Sequence, residues 1–194
     1  MKKIVFLILS LLTVLLAGCA STRQSQFYIL SPAATPPVKA SPAKFSVAVG
    51  PVTVPASVDR PQIVLKTGPN EVFISEFDRW ASPLKGDIAR VVAENLVSLL
   101  GTKQIYVFPQ SAVSDASYHV MIDFFNFESD PRRAATLDAL WMIVYGNDKQ
   151  VRSRTTITEP VQGNGYAELV AAHSLALGRL SAEIAIEIRR LEGN

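Results

Sequence analysis

The residues of this chain that could do chemistry are few and scattered. Its single cysteine is Cys19, its two histidines are His119 and His173, and Asp123, Glu128 and Asp130 fall along one apolar-polar alternation and the turn after it. A protein zinc site draws four ligands, mainly Cys and His at close spacing. Two separated histidines without cysteine partners do not supply one. Alternation sets His119 opposite Val120, on the solvent side of a strand. His173 falls on the apolar stripe of the last helix, as a partly buried residue rather than a ligand. Asp123 and its acidic neighbours could act as an acid-base pair, but charges spaced along a strand face are ordinarily a solvated surface. The chain has no Gly-x-Ser-x-Gly elbow and no glycine-rich phosphate loop. The pattern therefore names no catalytic residue, no metal and no cofactor. That leaves the thiol of Cys19.

Cys19 closes an unusual segment. Lys2 and Lys3 precede an apolar run of 14 residues, Ile4 to Ala17, interrupted only by Ser10 and Thr13. As a helix such a run covers about 21 Å, short of a hydrocarbon core of about 30 Å. Its length suits the apolar region of an export signal. The run ends in Leu16-Ala17-Gly18-Cys19, which resembles the bacterial lipobox. In signals of that kind the thiol receives a diacylglycerol, the chain is cut before the cysteine, and the new amino terminus is acylated, commonly with palmitate. The resemblance implies a signal peptide over 1–18, lipidation at Cys19 and a lipidated tether over 19–26. Ala20 after the cysteine, in place of Asp, resembles sorting to the outer membrane, with the domain facing the periplasm.

With Lys2 and Lys3 set aside, 17 basic residues meet 17 acidic ones. That balance offers no electrostatic footprint for nucleic acid. Residues 19–194 suffice for one domain with its own core, and with Cys19 lipidated no thiol is left for a disulfide. Alternation predicts strands at 27–30, 45–55, 104–109, 117–129, 137–148 and 149–160, and a hairpin over 61–77 around Thr67-Gly68-Pro69-Asn70. Phe45, Val47 and Val49 share one face of the second strand. Leu84, Ile88, Val91, Val92, Leu96 and Leu100 recur at helical spacing between Pro83 and the stop at Gly101. A second stripe runs from Leu169 through Leu180 to Leu191, in a helix starting at Tyr166. Hairpins dominate, so the expected fold is α+β: a single domain over 27–194, with a largely antiparallel sheet and two amphipathic helices packed on it. Residues 31–44, with four prolines, read as a surface loop. Four apolar residues in a row at 27–30 want burial, which predicts a short tether of about 25 Å over 20–26.

The early "FYIL" (27–30), "DRPQIV" (59–64) and "RWASPL" (79–84) at the start of the first long helix resemble the PqiC-type ABC transport auxiliary lipoproteins. The resemblance extends over nearly the whole chain after Cys19. It implies a non-enzymatic accessory, anchored in the outer membrane, that serves an intermembrane lipid transport system. The implied partners are an MCE-domain transporter subunit and, through the acyl anchor, membrane lipid. Arg60, Arg79 and Trp80 become candidates for a partner surface or for self-assembly into a homo-oligomer. Read as structure alone, Trp80 plugs the joint between hairpin and helix while Arg79 covers it with its stem. A scaffold that holds an envelope complex together without handling lipid is the alternative function.

Overall fold

The computed structural model describes Lys3 and residues 23–33, 44–109 and 115–193. The lipobox, Cys19 and positions 34–43 of the proline-rich stretch lie outside the described residues. The elements are β1 (Gln26–Tyr28), β2 (Val47–Thr53), β3 (Gln62–Gly68), β4 (Glu71–Trp80), α1 (Leu84–Leu100), β5 (Ile105–Val107), β6 (Tyr118–Asp130), β7 (Ala134–Tyr145), β8 (Lys149–Pro160) and α2 (Tyr166–Glu192). Periodicity predicts each of them within a few residues.

The strands pair into two sheets, ordered β5-β2-β6-β7-β8 and β1-β4-β3. The class is α+β in one domain. Its sheets are more mixed than the hairpin count suggested. β6, β7 and β8 form an antiparallel meander, whereas β2 runs parallel to both β5 and β6. A hairpin cannot join parallel neighbours, so the chain reaches β5 by a long crossover that includes α1. The β3–β4 hairpin leaves the main sheet altogether and pairs with β1, parallel on the β4 side.

Both helices cover one face of the five-stranded sheet. α1 packs on β2 and β5, and α2 packs on β7 and β8. Leu84, Ile88, Val91, Leu96 and Leu100 of α1 meet Leu169, Leu177, Leu180, Ile184 and Ile188 of α2 in one core with Val47, Ile122, Leu137 and Ile143 of the sheet. Gly101 ends α1 in the left-handed conformation, φ 70°, its N–H donating to the Val97 carbonyl. α2 has the length and apolarity of a membrane span, yet 67% of that apolar window is buried inside the domain, as in a core helix.

Two departures from simple alternation have visible causes. In β2, Ala48 is buried as fully as Val47 and Val49; it stands in register between Tyr106 of β5 and His119 of β6, in a strand paired on both edges. In β6 the core face runs Tyr118, Val120, Ile122, Phe124 and then Phe127 and Ser129. A bulge between Phe124 and Asn126 shifts the register and exposes Phe125.

"FYIL" is only half buried. Leu30 is 1% exposed and Tyr28 is half-buried, but Phe27 and Ile29 are 63% and 52% exposed. Extended chain turns successive side chains to opposite sides, so four apolar residues in a row cannot all face the core. Leu30→Ala should lower the unfolding free energy by about 2–5 kcal/mol, as truncation of a closed core site does. Urea denaturation measures it. Ile29→Ala, on the exposed side, should change it by less than about 0.5 kcal/mol.

Candidate functional site

A hydroxyl and an imidazole do come together in this fold. Ser129 Oγ lies 2.8 Å from His173 Nε2, where α2 crosses the end of β6. That pairing is the geometry by which a serine is activated as a nucleophile. Here it is sealed in the core: His173 is 0% exposed and Ser129 3%. The imidazole stacks flat on Phe127, with centroids 4.2 Å apart and planes 3° apart. Burial pushes it down to about 3, too weak a base for a hydroxyl proton. Its Nδ1 has no hydrogen-bond partner among the described residues. The expected partly buried helix residue is in fact fully buried.

The acidic residues are dispersed onto separate partners. Asp123 accepts from the Thr53 hydroxyl at 2.8 Å, Glu128 pairs with Lys66 Nζ at 2.6 Å, and Asp130 accepts from the Arg132 N–H. Among the described residues no group of three His, Cys, Asp or Glu side chains converges on a metal-sized point.

Arg60, Arg79 and Trp80 are divided by the strand pleat. Trp80 is buried and meets Phe127 and His173 edge-on, at 6.3 and 6.5 Å. It plugs the joint between β4, β6 and α2. Arg79 points to the other face of β4, half-buried, its Nε without a hydrogen-bond partner among the described residues. Arg60 is exposed. It lines an open hollow of about 350 Å³ with Asp59, Pro61, Trp80, Ser82 and Leu84. Asp59 pairs with Lys85 of α1 at 2.9 Å beside it. The structure thus brings Arg60 and Trp80 to one place and leaves Arg79 outside it.

Sequence reasoning missed the residues that hold the N-terminal chain. Residues 30–33 lie between α1 and α2, and side chains satisfy their backbone. Asp87 Oδ2 accepts the Leu30 N–H at 2.8 Å, Ser174 Oγ the Ser31 N–H at 3.1 Å, and Asn95 Oδ1 the Ala33 N–H at 2.9 Å. Arg90 donates to the Leu30 carbonyl and to Asp87 Oδ1, both at 2.6 Å. Asn95 also donates to Ser181 Oγ, joining the two helices. Gly178 makes room: a methyl there would collide with the Ala33 side chain. The signal was legible in part. Asp87 and Asn95 interrupt the buried face of α1, and Ser174, Gly178 and Ser181 recur on one face of α2 at helical spacing. Upstream, Tyr28 donates to Asp78 Oδ1 at 2.9 Å. Burial, and then that bond, push the Tyr28 hydroxyl up to about 12.

His173 makes stability depend on pH. Its folded value lies below the ordinary 6.5, so above pH 6.5 neither the folded nor the unfolded chain protonates it. As pH falls from 6.5 toward 3, only the unfolded chain takes up the proton and stability is lost. From pH 7 to pH 4.5 this group should remove roughly 2–3 kcal/mol. Urea unfolding of His173→Gln and the parent at both pH values checks it: the stability gap at pH 7 should narrow by that amount at pH 4.5. An unchanged gap would contradict the depressed value.

The comparisons agree with this architecture. A model of the family described as "ABC-type transport auxiliary lipoprotein component" matches residues 28–185. No curated protein matches the chain. The crystal structure of an uncharacterized protein superposes with a TM-score of 0.69 at 22% identity, over 86% of this chain and 99% of that one. Protein XCC0632 from Xanthomonas campestris, assigned to DUF330, gives 0.70 at 18% identity, over 87% of this chain and 100% of that one. At such identities these two likenesses establish the fold alone. Because the family match spans both sheets and most of α2, the chain belongs to the ABC-type transport auxiliary lipoprotein component family.

Proposed function

We propose that this protein is a non-enzymatic periplasmic accessory of an intermembrane lipid transport system, acylated at Cys19 and held at the outer membrane. Its transport partner is an MCE-domain subunit working with an ABC ATPase. Family membership supplies the class of transporter. The observation that carries the rest is the seating of the N-terminal chain: β1 begins at Gln26, Leu30 to Ala33 are bonded between the helices, and Arg23 pairs with Asp78 at 3.6 Å. Four residue steps separate Cys19 from Arg23, a reach of at most about 14 Å. A domain on so short a lead stays beneath its own membrane, so a partner must cover the remaining distance. Arg60, exposed beside the Asp59–Lys85 pair, is the polar feature through which such a partner or a second copy would dock. Trp80 lines the same hollow.

Cys19→Ser tests the anchor. The variant should accumulate as an unprocessed, unacylated precursor and leave the outer-membrane fraction, both readable by intact mass and density-gradient fractionation. A variant that matures to the parent mass would refute acylation at Cys19. Arg60→Glu, in an acylated and correctly localised protein, should reduce co-purification of the MCE-domain subunit severalfold; undiminished recovery would remove Arg60 from the interface.

A further inference from the structure

The β3–β4 hairpin carries three successive apolar side chains into solvent. Val72, Phe73 and Ile74 are 57%, 52% and 40% exposed. Alternation along a strand ordinarily hides every second residue, and the facing residues Val64 and Leu65 on β3 are indeed buried. At the start of β4 Phe73 faces solvent on one side, and Val72 on the other lines an open hollow with Lys66 and Glu128. The backbone is bare there too: β1 pairs only with Asp78 to Trp80, so no described strand lies along that edge from Glu71 to Phe77.

The base of this hairpin is where the described N-terminal chain begins. Val64 pairs with Ile74 and Gln62 with Arg79, so residues 75–78 form a wide bulge. Ser75 donates its hydroxyl to Asp78 Oδ2 at 2.9 Å and accepts the Asp78 N–H at 3.1 Å, which closes the bulge. Arg23 pairs with Asp78 and lies over the Phe77 ring, 5.7 Å from its centroid. Phe77 is three residue steps from Ile74, at most about 11 Å, and Arg23 is four from Cys19, at most about 14 Å.

These facts favour one occupant. The headgroup level can hydrate the bare β4 edge, as the hydrocarbon beneath cannot, while Phe73 and its apolar neighbours reach toward the acyl chains. No charge interrupts the segment between Glu71 and Glu76, and an aromatic flanked by branched aliphatics suits that boundary. We propose that the β3–β4 hairpin tip is a second membrane contact, in which Val72, Phe73 and Ile74 enter the lipid surface that holds the acyl chains and so orient the domain. This rests on the acylation of Cys19 proposed above.

The test uses the full mature protein in phosphatidylcholine vesicles with or without brominated acyl chains, which quench nearby indoles. The native Trp80 and Trp141 are buried and set the baseline. In Phe73→Trp, the added emission should fall by about half or more in brominated vesicles, as expected of a ring at acyl depth. Val72→Trp should repeat the result. Ile186→Trp, 68% exposed on α2, should be quenched little. Equal quenching at positions 73 and 186, or none at position 73, would overturn the proposal. So would a blue shift of the Phe73→Trp emission that depends on protein concentration without lipid, which would assign the tip to a second copy. Intact mass of the same samples separates the two readings. Acylated Phe73→Trp protein whose added indole is unquenched refutes the contact and keeps the anchor; unacylated protein whose added indole is quenched refutes the anchor and keeps the contact.

Discussion

The carboxylate of Asp87 is the group on which the arrangement of this domain turns. It is buried in the first turn of α1, accepts the Leu30 N–H and holds Arg90, which reaches on to the Leu30 carbonyl. Both backbone groups of a core-facing residue are thereby satisfied without a strand neighbour. A buried N–H left unpaired costs about 1–3 kcal/mol, so a segment without such partners would not enter the space between two helices. With them, Leu30 fills the core; beyond it Ser174 of α2 accepts the Ser31 N–H, Asn95 of α1 accepts the Ala33 N–H, and Gly178 leaves room for the Ala33 side chain. The consequence is directional. The chain enters the domain at a fixed point, beside Phe77 and Asp78, so the fold itself sets the direction of entry.

A second constraint is the joint where the two sheets meet. Trp80 closes β4, Phe127 follows the bulge of β6, and His173 descends from α2; their rings pack against one another. An imidazole at such depth is tolerated because it stays neutral and keeps its bond to Ser129. The same burial that makes it a good core residue removes it from any reaction. Polar atoms elsewhere in the core are used in the same way, to lock helix to helix and helix to chain. The outer face of the meander remains wet, as one face of an antiparallel sheet can, with Arg154 and Asp138 paired across it at 2.6 Å.

Much of this was legible in the residues alone, because its physics is local. Periods of two and of 3.6 mark the strands and helices, and Gly101 marks a helix end; the basic start, apolar run and Leu16 to Cys19 carry the export and lipidation proposed above. "DRPQIV" and "RWASPL" carry the family resemblance, and the family match agrees with it. Tertiary structure alone decided which strands pair, since a ladder such as β1 with β4 joins residues about fifty positions apart. It split the strands into two sheets, turned Phe27 and Ile29 outward, and set Arg79 and Trp80 on opposite faces. It also gave Asp87, Asn95, Ser174 and Gly178 their purpose. In sequence they are flaws in amphipathic helices, and only a backbone laid across them turns each flaw into a partner. Pattern records what a residue prefers; the partner that meets the preference comes from elsewhere in the chain.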